Sequence, residues 1–223
     1  MRDGRPFPKT GLSVTVSAPE SLEAEESCAD FPGEYWRELD RERGYPTAFV
    51  KALTDAGYLG CLIPEEYGGS GLGLKAATVV LEEVHRSGCN AGAAHAQMYT
   101  MGTLLRHGSE AQKAAYLPGI ADGTLRLQAF GVTEPTSGTD TLALKTTARR
   151  DGDDYVINGT KIWITNSVEG SILACLVKTD PHAEPAHKGM TLLLVEKAMG
   201  YQSRKLKKLG YRGVDTGEVD FEN

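Results

Sequence analysis

The sequence predicts an α+β fold, in which an all-α helical domain is followed by a domain built on an antiparallel β-sheet or barrel. Apolar residues recur at helical spacing before Leu125 and in short runs separated by turn residues after it. The net charge of −6 lies entirely in residues 1–125, because residues 126–223 are neutral. We therefore predict a tail or loosely ordered arm over 1–30, a helical domain over 31–125 and a β-domain over 126–223.

Length and composition exclude several classes of protein. A chain of 223 residues with 40% hydrophobic and 24% charged residues can fold around its own core and is unlike disordered or coiled-coil sequences. No apolar run approaches the roughly 20 residues of a membrane span, and the acidic balance disfavours nucleic-acid binding. The four cysteines have no metal-ligand spacing, and no signal sequence follows Met1. We therefore expect free thiols, no metal site, no membrane or nucleic-acid partner and a cytoplasmic location.

Four helices are predicted in the first region. Their apolar residues recur at spacings of three and four, and a glycine or proline follows each one. The predicted starts lie near Pro46, Leu74, Asn90 and Ser109, and the predicted ends lie at Gly57, Gly88, Gly108 and Pro118. Residues 109–112 form a capping-box pattern. The glycine-rich stretch 68–73 looks like a phosphate loop, but we predict a connector because no buried strand precedes it.

The second region predicts strands joined by tight turns. Asp151-Gly152 and Asn158-Gly159 are typical of two-residue hairpin turns, so the sequence predicts two successive hairpins. The predicted strands cover residues 146–150, 155–157, 162–165, 172–177, 190–195 and 217–221.

The stretch from Gln128 to Asp140, together with residues 163–165, gives the strongest indication of chemistry. Gly138 allows the amides and hydroxyls of the loop to approach a phosphate or a polar heterocycle. Trp163 can cover an aromatic ring, and Thr165 can supply a hydroxyl on the same strand face. The alternative is structural, because a strand tryptophan is more often part of a core and threonine is common in strands.

Four segments, in the same order along the chain, resemble the acyl-CoA dehydrogenase family. They are IPEEYGGSGLG at 63–73, GVTEPTSGTDTLA at 131–143, NGTKIWITN at 158–166 and KLGYR at 208–212. The resemblance covers residues from about 31 to 223. It implies the helical and middle β-domains of that family without its C-terminal four-helix bundle, because the chain stops at Asn223, about where the β-domain ends.

The resemblance implies FAD as the cofactor. The Val132 backbone and Thr133 would hold the pyrimidine edge of the flavin, Thr165 would bond near N5, and Trp163 would flank the ring. Thr139, where the family usually has serine, would contact the acyl-CoA as well. The implied cofactor-binding residues are Phe130, Val132, Thr133, Thr139, Trp163, Ile164 and Thr165, and the implied substrate-binding residue is Thr139. Phe130 stands where tyrosine is frequent, so a hydroxyl contact is lost there.

The family's reaction removes an α-proton of an acyl-CoA with a carboxylate, while the β-hydrogen passes as hydride to the flavin and a 2-enoyl-CoA forms. The family's base is a glutamate of the C-terminal helical domain. We therefore predict no catalytic residue in this chain, expect a structural role for Glu134, and expect the isolated chain to be inactive. The implied partners are acyl-CoA, an electron-transfer flavoprotein as acceptor, and either further copies of the chain or a partner chain that supplies the helical bundle.

Two alternatives remain at this stage. One is an acyl-CoA oxidase or a flavin monooxygenase on the same scaffold, and the other is a non-catalytic or truncated subunit that needs a partner chain.

The basic residues in 204–208 and Arg212 have two interpretations, one of which is that they bind the phosphates of CoA. We favour a polar outer strand face for them.

Overall fold

The computed structural model describes the backbone of residues 19–222 and the side chains from residue 24 onward. Within these residues there are six α-helices. They are α1 (Pro19–Ala29), α2 (Gly33–Glu42), α3 (Thr47–Asp55), α4 (Leu74–Arg86), α5 (Gly92–His107) and α6 (Glu110–Ala121). The four predicted helices correspond to α3 to α6.

The helical domain differs from the prediction at its start. The part of the predicted arm before Pro19 lies outside the described residues, but the remainder is the helix α1 rather than a loose segment. Ala24 and Cys28, four positions apart, are buried in the same core cluster as residues of α3 and α4. A helix that buries one side in this way is stabilised by tertiary packing even where its sequence is poorly patterned.

The helix α6 also differs from the prediction, because it continues through Pro118 to Ala121. The predicted capping box at its start is confirmed. Ser109 Oγ accepts a hydrogen bond from the Gln112 amide at 3.2 Å, and Gln112 Oε1 accepts one from the Ser109 amide at 2.9 Å. The connector interpretation of 68–73 fits the packing, since a side chain at Gly69 would collide with the carbonyl oxygen of Ile63.

Seven strands are present within residues 19–222. They are β1 (Leu127–Gly131), β2 (Thr147–Asp151), β3 (Asp154–Thr165), β4 (Ile172–Lys178), β5 (Met190–Glu196), β6 (Gln202–Lys205) and β7 (Thr216–Phe221). They form one sheet in the order β1-β4-β2-β3-β7-β6, and β5 also pairs with β4. The predicted helical domain followed by a β-domain is thus confirmed.

The sheet is mixed rather than wholly antiparallel. Strand β1 runs parallel to β4, and β2 makes one parallel pairing with β4 through Thr147 and Lys178. The other pairings, β2–β3, β3–β7, β4–β5 and β6–β7, are antiparallel. The β2–β3 hairpin lies between β1 and β4 along the chain, so this parallel pair is not formed by consecutive strands.

One predicted hairpin is confirmed and the other is wrong. Gly152, with φ of 64°, lies in the turn between β2 and β3. Asn158 and Gly159 instead lie within the continuous strand β3, where Asn158 pairs with Thr147. A Cβ at Gly159 would lie 2.5 Å from Thr146 Oγ1, and φ there is 140°. Glycine is therefore needed for close approach of two chain segments, not for a turn.

The four cysteines are free and buried, in agreement with the prediction of free thiols. Burial raises the pKa of Cys175 to about 12. Cys28 also has its pKa raised to about 12, first by burial and then by the adjacent Cys89. These thiols are therefore protonated and unreactive at neutral pH.

We predict that Gly159→Ala lowers the free energy of unfolding by about 3 kcal/mol, because the added methyl group meets Thr146 and the backbone conformation is strained for alanine. Chemical denaturation measures this change. The matched control is Gly152→Asn, at a left-handed position with open space around it, which should cost less than about 1 kcal/mol. Equal effects of the two substitutions would contradict the packing role of Gly159.

Candidate functional site

The loop that follows β1 is closed on itself. The Glu134 amide donates to the Ser137 carbonyl at 2.8 Å, and the Ser137 amide donates to the Glu134 carbonyl at 3.2 Å. The Ser137 hydroxyl in turn donates to the backbone carbonyl of Asp140. Residues 134–140 are consequently held in a fixed shape by their own hydrogen bonds.

A buried ion pair anchors this loop to the sheet. Lys161 Nζ lies 2.9 Å from Glu134 Oε1, and the two side chains are 0% and 3% exposed. The Glu134 carboxylate also accepts hydrogen bonds from the amides of Lys145 at 2.6 Å and Thr146 at 2.9 Å. Burial alone would raise the pKa of Glu134, but the donors of Thr146, Lys145 and Lys161 outweigh it and lower the pKa to about 2. The geometry fits the structural role expected for Glu134.

Strand β3 holds the start of the loop from the other side. Lys161 Nζ donates to the Val132 carbonyl at 3.1 Å, and the Ile162 amide donates to the Thr133 carbonyl at 2.9 Å. The carbonyl groups of Val132 and Thr133 therefore both accept hydrogen bonds from within the protein. These bonds place Val132 and Thr133 beside residues 161–163, so the structure brings together two segments that lie about 30 residues apart in the sequence.

Trp163 lies on an irregular part of β3. The register against β7 shifts between Lys161 and Ile164, and Trp163 has a φ of 63°. We predicted that Trp163 and Thr165 lie on the same face because side chains alternate along a regular strand. The bulge interrupts this alternation. Trp163 is 61% exposed, whereas Ile164 is 2% exposed and belongs to the β-domain core. Trp163 is therefore not a core residue, and Ile164 can contribute to a ligand site only through its backbone.

A positive φ at a bulky aromatic residue is a conformational outlier. Such strain persists only where the surrounding structure enforces it, and it is concentrated at ligand-binding and catalytic positions. In this chain the enforcing contacts are the ladder bonds that flank the bulge and the ion pair of Lys161. The result is a large aromatic side chain held away from the core beside the loop that follows β1.

The other predicted residues divide between two surroundings. Thr139 is exposed on the loop, and Thr133 and Thr165 are half-buried. Phe130 is half-buried at the end of β1, and its ring meets that of Tyr99 edge-on at 6.0 Å between centroids. Phe130 also packs against the core cluster between the helices and the sheet. It thus has a structural role in addition to any ligand contact.

A cleft of about 740 Å³ lies between α5 and the sheet. Its walls are mainly apolar and include Met98, Tyr99, Leu105, Phe130, Val132 and Leu176. We did not predict this cleft, because its residues come from separate elements that only the tertiary fold brings together. A second cleft of about 600 Å³ lies between β3 and β5 and contains none of the predicted site residues.

The basic residues near the end of the chain have partners within the protein. Arg204 pairs with Glu218 and Asp220 across β6 and β7. Arg212 makes two bonds to Asp40 Oδ2, at 2.9 and 2.7 Å, and so ties the β-domain to the helical domain. These contacts favour the structural interpretation of both arginines.

Two kinds of feature are absent from residues 19–222. No group of three or more His, Cys, Asp or Glu side chains is placed to hold a metal ion. In the same part of the chain, no helix combines the length and apolarity that crossing a membrane requires.

Family comparisons agree with the geometry. The model of the acyl-CoA dehydrogenase N-terminal domain matches residues 22–124, and the model of the acyl-CoA dehydrogenase middle domain matches residues 129–223. The chain belongs to the acyl-CoA dehydrogenase family. The segment that carries Phe130 to Thr139 and the bulge at Trp163 both lie in the middle domain of this family.

Individual relatives support the same assignment. The mitochondrial isovaleryl-CoA dehydrogenase of Pongo abelii is 40% identical over 194 residues, which is 84% of this chain and 45% of the relative. The crystal structure of an acyl-CoA dehydrogenase from Geobacillus kaustophilus matches with a TM-score of 0.85 at 28% identity. The match covers 94% of this chain and 56% of the Geobacillus chain. The structure of an acyl-CoA dehydrogenase from Bacillus anthracis complexed with FAD matches with a TM-score of 0.77 at 30% identity. That match covers 91% of this chain and 35% of the Bacillus chain. The chain spans about half the length of the curated relatives it matches.

We predict that Glu134→Gln lowers the free energy of unfolding at pH 7 by about 3 kcal/mol, because Lys161 then remains buried without a carboxylate partner. The control is Glu169→Gln, which removes an exposed ion pair with Lys205 and should have a much smaller effect. Urea denaturation at fixed pH measures both variants.

The Glu134 ion pair also predicts a pH dependence. The pKa of Glu134 is lowered from 4.5 to about 2 on folding, so its contribution is present above about pH 4.5 and is lost as the pH falls toward 2. The stability difference between the wild-type protein and Glu134→Gln should therefore shrink over this interval. A constant difference from pH 5 to pH 2 would show that the carboxylate charge does not stabilise the fold.

Proposed function

We propose that this chain forms the flavin- and substrate-contacting part of an FAD-dependent acyl-CoA dehydrogenase, which converts an acyl-CoA thioester to a 2-enoyl-CoA. The observation that carries the proposal is the exposed indole of Trp163, held in a strained backbone conformation next to Ile162, whose amide donates to the Thr133 carbonyl. Strain and exposure of a large aromatic side chain are costly without a ligand. The relatives are named as dehydrogenases of acyl-CoA compounds, which supports the choice of ligand.

The residues present fit FAD. A flavin is a flat ring with a polar edge, and Trp163 offers an aromatic surface while Thr133 and Thr165 offer half-buried hydroxyls. Phe130 and Ile164 complete the predicted contacts, Phe130 through its ring and Ile164 through its backbone. Thr139 is exposed on the loop. We propose that it contacts the acyl-CoA substrate as well. When bound, FAD would supply the redox chemistry by accepting a hydride.

The described residues orient the ligands but do not supply the proton-abstracting base. Glu134 is the buried carboxylate of the loop, and its ion pair with Lys161 and its bonds to two amides leave it unsuited to accept a proton. Glu83 is buried on α4 and is held by Arg86 at 2.8 Å. We therefore assign the base to a residue outside this chain. It would be supplied by a helical bundle in another segment or in a partner chain, and an electron-transfer flavoprotein would be the acceptor.

We predict that the 223-residue chain reconstituted with FAD shows no bleaching of its visible flavin absorbance when an acyl-CoA such as isovaleryl-CoA is added without oxygen. The reason is the missing base, since a flavin without α-proton abstraction receives no hydride. Dithionite serves as the control, because it should bleach any bound flavin. Bleaching by the acyl-CoA would show that this chain supplies its own base. Rapid recolouring in air would then favour an oxidase over a dehydrogenase.

We predict that Trp163→Gly weakens FAD binding at least tenfold, equivalent to about 1.4 kcal/mol, without lowering the stability of the apoprotein. The substitution removes an exposed ring and relieves the positive φ, so the fold should not suffer. Quenching of FAD fluorescence measures the affinity, and thermal unfolding measures the stability. The matched control is Arg43→Gly, which relieves a φ of 57° at the residue that follows α2 and should leave FAD affinity unchanged. Equal affinity of the Trp163→Gly and wild-type proteins would refute the assignment of the flavin site.

A further inference from the structure

Thr165 lies between two residues with left-handed backbone conformations. Trp163 precedes it with a φ of 63°, and Asn166 follows it with a φ of 55°. Asparagine tolerates this region better than most residues do, yet the two conformations together fix the course of the chain on both sides of Thr165. The contacts of Lys161 hold the first conformation. The second is held by contacts at the end of β3.

Asp215 supplies most of the contacts at the end of β3. Its backbone carbonyl accepts a hydrogen bond from the Asn166 amide at 3.0 Å. Its two carboxylate oxygens accept bonds from the amides of Val168 at 3.2 Å and Glu169 at 3.1 Å. The Gly170 amide closes the same turn by donating to the Asn166 carbonyl at 2.8 Å. Asp215 thus binds three amides within a stretch of four residues.

The carboxylate of Asp215 is buried, since the residue is only 6% exposed. Burial raises the pKa of Asp215, although the amides of Val168 and Glu169 oppose this shift. A buried carboxylate is costly, but a charged acceptor holds amide groups more tightly than a neutral one does. Asp215 therefore fixes the turn after β3 firmly at the expense of its own burial.

Strand β7 extends this restraint to Thr165 itself. Thr216, which follows Asp215, is the ladder partner of Thr165. Lys208 holds this end of β7, because its Nζ donates to Thr216 Oγ1 at 3.0 Å and to the Val214 carbonyl. A movement of Asp215 would therefore displace both the ladder partner of Thr165 and the residue that follows Thr165.

We propose that Asp215 is a positioning residue for the flavin site and acts by holding Thr165 in place. The inference rests on the proposed function, in which the half-buried hydroxyl of Thr165 contacts the flavin. The carboxylate of Asp215 is itself engaged with two amides, so Asp215 acts through Thr165 and not as a ligand contact. A hydroxyl on a fixed backbone loses less conformational freedom on binding than a mobile one, which favours affinity.

A double-mutant cycle on the 223-residue chain tests the inference, with FAD affinity measured by fluorescence quenching. Thr165→Val removes the hydroxyl, and Asp215→Ala removes both carboxylate oxygens. We expect each substitution to weaken FAD binding about fivefold, which is the effect of losing one hydrogen bond. The double variant should also bind about fivefold more weakly, because Asp215 acts through Thr165. Independent effects would instead multiply to about 25-fold.

Two further variants separate positioning from a general loss of stability. Asp215→Asn keeps one acceptor oxygen and should recover most of the lost affinity, and it replaces Asp215→Ala in the cycle if that protein does not fold. The matched control is Asp122→Ala, because Asp122 also accepts a bond from a backbone amide, that of Thr124 at 2.8 Å, but lies just after α6 in the helical domain. This control should leave FAD affinity unchanged. Thermal unfolding of the apoproteins identifies the temperature at which every variant is folded.

Three results would overturn the inference. The first is a folded Asp215→Ala protein that binds FAD as tightly as the wild-type protein does. The second is a double variant that binds FAD about 25-fold more weakly, which would show that Asp215 acts independently of Thr165. In both cases a loss of FAD affinity in Trp163→Gly would still support the proposed function. The third is a wild-type chain that binds no FAD, which would overturn the proposed function as well.

Discussion

The buried ion pair between Glu134 and Lys161 is the interaction on which the rest of the site depends. Removing two charges from water is costly, and an ion pair in a protein interior often contributes little net stability compared with apolar residues. What this pair supplies is geometry, because each charge requires the other and the carboxylate also binds the amides of Lys145 and Thr146. These contacts fix three separate segments at one point. The segments are the loop after β1, the segment that leads into β2, and β3.

The strained conformation of Trp163 follows from that anchor. Lys161 faces inward to meet Glu134 and Val132, while Ile164 must also face inward because it belongs to the β-domain core. Two residues lie between these inward positions, whereas a regular strand alternates faces with a period of two. The extra residue forms a bulge, and the bulge turns Trp163 outward. An interior electrostatic contact thus determines the exposure of an aromatic side chain at the surface.

Sequence patterns predicted those helices and turns whose formation depends on residues close together in the chain. Helical spacing identified α4 and α5, and Ser109 to Gln112 marked the start of α6, because caps and apolar stripes are properties of a short segment. The pair Asn158-Gly159 shows the limit of such patterns. Its composition matches a hairpin turn, yet its glycine is needed because Thr146, which precedes it by 13 residues, approaches the strand. The cleft between α5 and the sheet was likewise unpredictable, since its lining residues come from α5, three strands and other segments distant in the sequence.

The two halves of the candidate site are aligned by β1. This strand is buried along nearly its whole length, and Gln128 within it accepts a hydrogen bond from Tyr45 and donates one to the Ala93 carbonyl, both in the helical domain. Two residues later Phe130 faces the cleft, and the loop that leads to Glu134 begins immediately after the strand. A shift of β1 would therefore move the loop proposed to contact the flavin and the wall of the cleft between α5 and the sheet together. Because the loop follows directly from the strand whose Phe130 lines the cleft, the distance between the loop and the cleft is set by backbone geometry.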